Sequence, residues 1–270
     1  MGPRPGPARG ILRRVEGRRG LHHQRLAPDP KVAEWVAHYW WVEWRLEEPH
    51  LAETIPHPSV HVVFEWPGGR VVARGPSPRR FTRELRGEGQ VFGIKFRPAT
   101  FSVLARRPMI ALQDAAVSVG QAWGRDRLRQ PPKLDPHSGP EVLASSCDAW
   151  LGGWLPTLPA PVRALRDLVE QIETDQGLVR VELAAQRSGL SVRALERRFR
   201  SQVGLSPKRV IQQYRLIEAA ERLKAPRPPT LVDLAAELGF FDQAHFSRAF
   251  KAITGRTPTE FLTEEGRSRR

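Results

Sequence analysis

The stretches LAAQRSGLSVRALERRF (183–199) and LAAELGFFDQAHFSRAF (234–250) repeat one pattern within the last third of the chain. Each opens on Leu-Ala-Ala, at Leu183-Ala184-Ala185 and Leu234-Ala235-Ala236, and passes through a glycine, Gly189 or Gly239. Each closes on an apolar pair, Leu195/Phe199 or Phe246/Phe250, placed twelve and sixteen residues after the opening Leu. A short apolar helix, a turn holding glycine and a second helix with an i, i+4 apolar stripe make a helix-turn-helix, whose second helix enters a DNA major groove. Two copies predict two reading heads on one polypeptide.

The first reading helix is expected to start at Ser191, whose hydroxyl can cap free backbone N–H groups, and to end before Gly204. Val192, Leu195 and Phe199 then turn inward and leave Arg193, Glu196, Arg197 and Arg200 as the outward stripe. Arg can grip guanine O6 and N7 with two parallel hydrogen bonds, and Glu can accept from cytosine N4. In the second unit Asp242 takes the cap position and the stripe becomes Gln243, Ala244, Ser247, Arg248 and Lys251, with His245 beside it. This face carries less charge and is expected to discriminate bases less strongly. Residue types alone leave open which arginine meets a base and which a phosphate.

Between the units, Ser206-Pro207 pairs a cap with proline at the first helical position and opens a helix running to about Lys224. Such a helix is a rod of roughly 28 Å, close to the ~34 Å between successive major grooves on one side of DNA. Arg209, in its first turn, is expected at most to touch phosphate. Thr230 and Asp233 restart a helix as a capping box.

The strings GLSVRALERRFRSQVGLSPKRVIQQYRLIEAA (189–220) and LAAELGFFDQAHFSRAFKAITGRTPTEF (234–261) resemble the DNA-binding domain of the AraC/XylS family of bacterial transcription regulators. The resemblance covers roughly residues 161–265 and fixes both units and their linking helix. It implies a regulator that binds double-stranded promoter or operator DNA, RNA polymerase as a partner for an activator, and a companion domain for ligand binding or self-association. One position departs: Phe261 is followed by Leu262 where the family usually has Arg, which implies one phosphate contact fewer.

Composition agrees with a polyanionic partner, since Lys and Arg exceed Asp and Glu by fourteen charges. The excess is spread, however: 20 basic against 14 acidic residues from Pro159 onward, and 23 against 15 before it. Charge alone therefore does not locate the DNA face. Cys147 is the single cysteine, which excludes an internal disulfide and a cysteine zinc site and points to a reducing compartment. No apolar run approaches the ~20 residues that span a bilayer, and no signal-peptide pattern opens the chain, so the expected location is cytoplasmic, away from any membrane.

The N-terminal half reads as α+β, a small antiparallel sheet or barrel with helices, ahead of the all-α half. Residues 59–66 (SVHVVFEW), 70–73 and 91–97 have strand composition and are separated by glycine and proline clusters. Helical spacing is read over 31–37, 98–106, 114–129 and 141–155. Residues 1–28 are poor in apolar side chains and are expected to be a disordered basic tail. The division expected is a tail at 1–28, a sensor or dimerisation domain at 29–155, a stiff proline linker at 156–161 and a DNA-binding domain at 162–265, folding independently of its companion. Apolar residues between 114 and 155, among them Val117, Trp123, Leu128, Val142, Leu143, Trp150 and Leu151, are read as a homodimer surface.

Trp40, Trp41, Trp44 and Trp66 crowd a short span and could line a pocket for a small-molecule effector, although the same rings could fill a small core. His57, His61 and Glu65 have spacing that would align on one strand as metal ligands. Pro56 and Pro58 argue that the strand starts later, so no metal and no cofactor is expected. A DNA-binding enzyme, such as an alkylation-repair regulator that accepts methyl groups on cysteine, needs a cysteine cluster that Cys147 cannot supply. No catalytic constellation appears elsewhere, and the chain is expected not to be an enzyme.

Overall fold

The computed structural model describes residue 6 and residues 8–13, 19–105, 107–123 and 130–268, with backbone alone for 266–268. Six strands, β1 (Leu21–Leu26), β2 (Val36–Thr54), β3 (His61–Trp66), β4 (Arg70–Arg74), β5 (Phe81–Phe96) and β6 (Ala116–Ser118), form one antiparallel sheet of order β1-β2-β5-β3-β4-β6. The long strands β2 and β5 pair from Val36/Phe96 to Thr54/Phe81, with a register shift between Leu46 and His50. That irregularity holds Pro49, which cannot donate to a ladder and is tolerated at a bulge.

Side chains alternate across the sheet. Tyr39, Val62, Phe64, Phe92, Ile94 and Phe96 join the main core with Trp123 of α1 (Val119–Trp123) and Leu143, Cys147 and Leu151 of α2 (Pro140–Gly152). The Tyr39 hydroxyl donates to Asp148 on α2 at 2.6 Å. The opposite face carries a second cluster of Leu21, Trp44, Val63, Val72, Leu85 and Val91.

Residues 31–37 make one helical turn, closed by Val36 N–H on the Val32 carbonyl, before β2 takes over, because the apolar run is too short to propagate a helix. Residues 98–106 shorten to a 3-10 turn at Thr100–Val103, and the 114–129 segment divides into β6 and α1, with 124–129 outside the described residues. Part of the supposed tail is ordered: Ile11 bridges Thr54, Leu12 is buried, and β1 pairs along β2. An edge strand needs only one covered face, so Leu21 and a few neighbours suffice. Residues 1–5, 7 and 14–18 of that segment lie outside the described residues.

The C-terminal half contains α3 (Ala160–Thr174), α4 (Val181–Ser188), α5 (Val192–Arg198), α6 (Pro207–Leu223), α7 (Leu231–Glu237), α8 (Gln243–Thr254) and α9 (Pro258–Ser268). It does not stand apart from the sheet: one continuous core runs from Phe101 and Trp123 through Leu158 of the supposed spacer to Ile217 and Phe250. α6 is buried on nearly every side, at Val210, Ile211, Gln213, Tyr214, Ile217 and Ala220 among others, because the reading units cover one face and the sheet half another. Gln213 Nε2 donates to the Ser77 carbonyl at 2.9 Å and to that of Pro56, and Arg97 grips Glu170 of α3 with bonds of 2.7 and 3.0 Å. The residues read as a dimer surface serve this core: Trp123, Leu143 and Leu151 are buried, Trp123 packs with Trp150 and Trp154, and only Val142 points out. Leu128 lies outside the described residues.

Glu53, 3% exposed, gathers Arg13 at 2.6 Å, Arg80 at 3.0 Å and Arg256 at 2.9 Å. Removing one partner of a buried ion cluster strands the others. Glu53→Ala is therefore expected to lower stability in chemical denaturation by about 3–5 kcal/mol. Glu84→Ala, which removes an exposed pair with Arg86, is expected to cost under ~1 kcal/mol. Equal losses for the two variants would contradict the role assigned to Glu53.

Candidate nucleic-acid interface

α4 ends at Gly189 in the left-handed region, φ 65°, where a residue without Cβ is favoured. The chain re-enters helix at Ser191, whose Oγ accepts from Ala194 N–H at 3.3 Å. Leu195 and Phe199 are fully buried, and Ser191, Arg193, Glu196, Arg197 and Arg200 are exposed. Val192, expected inward, is 37% exposed in the first turn of α5. A π turn at Phe199–Val203 follows α5 and stops at Gly204, φ 87°.

The second unit has the same construction. Thr230 Oγ1 accepts from Asp233 N–H at 3.1 Å to start α7, and Asp242 accepts from His245 N–H at 2.6 Å to start α8. Phe246 and Phe250 are fully buried; Gln243, Ala244, His245, Arg248 and Lys251 are exposed and Ser247 is half-buried. The His245 ring meets Phe240 edge-on at 5.4 Å. α6, seventeen residues long, begins at Ser206, which accepts from Arg209 N–H at 3.3 Å, and gives a rod of about 26 Å. Phe261 packs edge-on against Phe250 at 5.5 Å, with the Arg256 guanidinium over its ring, while Leu262 is half-buried.

The cations of the two stripes differ from the arginines that hold the two halves together. Among the described residues, Arg193, Arg197, Arg200, Arg248 and Lys251 make no ion pair, whereas Arg9, Arg13, Arg80, Arg97 and Arg256 are held by internal carboxylates. Unpaired, solvated cations on capped helices can neutralise phosphates or reach base edges at no cost in broken internal bonds. Arg209 differs: its guanidinium donates to the Pro78 carbonyl and to Gln212, half-buried between the halves, where desolvation lowers its pKa. The phosphate role expected for Arg209 gives way to an internal one.

Two neighbours of the interface were not legible in the sequence. Pro108 and Ile110, at the 3-10 turn Met109–Leu112, flank the first stripe and close with Arg193, Glu196, Arg197 and Arg200 a cleft of about 360 Å³. A Cβ at Gly204 would stand 2.8 Å from the Met109 carbonyl oxygen, so this contact needs glycine. Phe241, 92% exposed directly before the Asp242 cap, offers an aromatic ring next to the second stripe. Its signal in the sequence was the doubled phenylalanine, of which Phe240 alone is buried.

The second face of the sheet lines a cavity of about 800 Å³. Trp40 and Trp44 stand on its wall, whereas Trp41 and Trp66 pack against the main core on the opposite face. Glu170 and Glu173 of α3 complete the wall, so the cavity lies between the two halves. β3 starts at His61, which leaves His57 outside the strand, and among the described residues no group of three His, Cys, Asp or Glu side chains could hold a metal ion. Cys147 is fully buried and its thiol is pushed well up by desolvation, the opposite of an activated nucleophile. No helix among the described residues is long and apolar enough to cross a membrane.

Two capped helix-turn-helix units with unpaired outward cations, joined by a rigid helix and backed by an antiparallel sheet, define a two-headed DNA-binding protein. Residues 184–264 match the family described as Helix-turn-helix domain, and residues 24–118 match Domain of unknown function (DUF6597). Regulatory protein SoxS from Escherichia coli K12 is 34% identical over 101 residues, covering 37% of this chain and 92% of SoxS. The transcriptional regulator MtrA from Neisseria gonorrhoeae is 31% identical over 102 residues, 38% of this chain, which spans 33% of MtrA. A regulator structure from Chromobacterium violaceum, described as AraC-type, overlays at TM-score 0.35 and 25% identity over 38% of this chain and 91% of that one. The chain belongs to the AraC family of transcriptional regulators.

Arg197→Ala is expected to weaken binding to a selected DNA site by ~1–3 kcal/mol while barely changing affinity for random DNA. Arg209→Ala is expected to leave the salt dependence of binding unchanged. Fluorescence anisotropy across salt concentrations reads both. An equal loss on selected and random DNA for Arg197→Ala would make it a phosphate contact.

Proposed function

We propose that this chain reads two adjacent major grooves of a promoter or operator and changes transcription there in response to a small molecule bound in the sheet cavity. In this reading Ser191, Arg193, Glu196, Arg197 and Arg200 face one groove, and Gln243, Ala244, His245, Ser247, Arg248 and Lys251 face the next. The sheet half, with β1 included, acts as sensor and residues 162–265 as reader. The observation that carries the reading is that α3, a helix of the reader, supplies Glu170 and Glu173 to the cavity wall. A molecule in that cavity touches both halves at once, and differential contact with two states is what lets a ligand shift an equilibrium.

A homodimer and contact with RNA polymerase belong to the same proposal. β1 ends the sheet, and α2 beside it keeps Val142 outward at 57% exposure, so this open edge is where a second copy would pair. Phe241 and Val232, 92% and 61% exposed on the second unit, are the apolar groups offered to DNA or polymerase.

Genome-wide mapping of binding sites with the full chain tests the proposal. A compact set of promoter-proximal sites sharing one sequence, lost when Arg197 and Arg248 are both replaced by alanine, is the expected result. Binding spread evenly over the genome in both proteins would contradict it.

A further inference from the structure

The two reading units differ in the turn between their helices. In the first, Leu190 N–H bonds the Ala185 carbonyl at 3.1 Å, and Ser191 caps α5 directly after it. In the second, Phe240 N–H makes the equivalent bond to the Ala235 carbonyl at 2.9 Å, but Phe241 stands between it and the Asp242 cap. The overall spacing is kept because the second turn closes on the first alanine of Leu-Ala-Ala and the first turn on the second. Phe241 is therefore one residue more than the turn needs, placed where the second reading helix begins.

An apolar residue before a cap commonly folds back on the fourth residue of its helix and fixes how the chain enters. In α5 these residues are Leu190, packed against the core, and the buried Leu195. In α8 the fourth residue is Phe246, and Phe240 has taken the place against it: its ring meets Phe246 at 5.3 Å and His245 edge-on at 5.4 Å. Phe240 is 7% exposed and Phe241 92%. Packing accounts for one phenylalanine of the pair and leaves the other free.

The chemistry of that ring limits what it can meet. Phenylalanine has no hydrogen-bonding atom, so it neither holds a phosphate nor reads the polar edge of a base. The major groove offers one apolar group, the C5 methyl of thymine. Base edges in a helix-turn-helix are met by the N-terminal residues of the second helix, and Phe241 directly precedes that end. Around it Gln243, His245, Arg248 and Lys251 are all exposed, a polar and cationic setting that suits DNA, whereas the cores of protein interfaces are poor in charge.

We infer that Phe241 sets a preference for thymine at one position of the second groove by burying the thymine methyl against its ring. This rests on the second unit reading a major groove, as proposed above. It gives that unit, whose stripe carries less charge than the first, a base preference that needs no hydrogen bond.

Deoxyuridine pairs as thymine does and lacks only the methyl, so it isolates the contact. A site is selected from a random pool by the full chain, each thymine is replaced in turn by deoxyuridine, and binding is followed by fluorescence anisotropy. At one position the unaltered chain is expected to lose about fourfold, the factor that corresponds to ~0.8 kcal/mol for a single buried carbon. Phe241→Ala is expected to bind the all-thymine site at least about fourfold more weakly and to be indifferent to that same replacement. At 92% exposure the ring supports no packing that alanine would remove. A site in which no replacement matters, or a Phe241→Ala chain as sensitive as the unaltered one at every thymine, would overturn the inference. So would a Phe241→Ala chain that binds the thymine site with undiminished affinity, which would leave the ring to a protein partner. A full chain that selects no sequence at all would contradict the reading of DNA itself, and the two failures are thereby told apart.

Discussion

A carboxylate with three guanidiniums around it holds the two halves of this protein in one arrangement. Glu53 sits near the end of β2, almost wholly out of water, and accepts from Arg13, Arg80 and Arg256. Arg80 also donates to the carbonyl of Thr254, the last residue of α8, and its guanidinium lies against Gly255, where any Cβ would collide with it. The end of the second reading helix is thereby pinned to the long β2–β5 ribbon. Desolvating the Glu53 carboxylate is costly unless cations hydrogen-bond it, so these three guanidiniums are what makes its burial tolerable.

The same principle divides the basic residues into two populations. Several arginines in and around the sheet are held by Glu53, Glu65 and Glu170, while Arg193, Arg197 and Arg248 on the reading helices are exposed and make no ion pair among the described residues. The net charge of +14 is spread along the sequence, and exposed cations without an ion pair among the described residues stand off the stripes as well, at Lys31, Arg70, Lys133, Arg180, Lys208 and Arg227. The helix-turn-helix geometry, and not charge, locates the DNA face.

The reading units were legible because everything that makes them is local: caps at Ser191, Thr230 and Asp242, the αL glycines Gly189 and Gly239, and apolar spacing within seventeen residues. The sheet was only partly legible. Pro49 reads as a strand breaker until the register shift between Leu46 and His50 accommodates it, and β2 and β5 identify each other only by long-range pairing. Gly89 and Gly93 are needed because a Cβ there would collide with Trp44 and Trp40 on the neighbouring strand, some forty to fifty residues away in sequence. Arg209 has the composition of a phosphate contact and the position of an internal bond, a distinction that needs the Pro78 carbonyl to be in view. The proline run at 156–161 reads as a spacer because prolines stiffen a chain, but Leu158 within it is buried and draws the two halves together.

The central claim is that one chain reads two successive major grooves. Hydroxyl-radical footprinting on a DNA site selected from a random pool by the purified full chain tests it most directly. The account predicts two protected stretches on one face of the duplex, one helical turn or ~10 base pairs apart. A single protected stretch, or two on opposite faces, would contradict it.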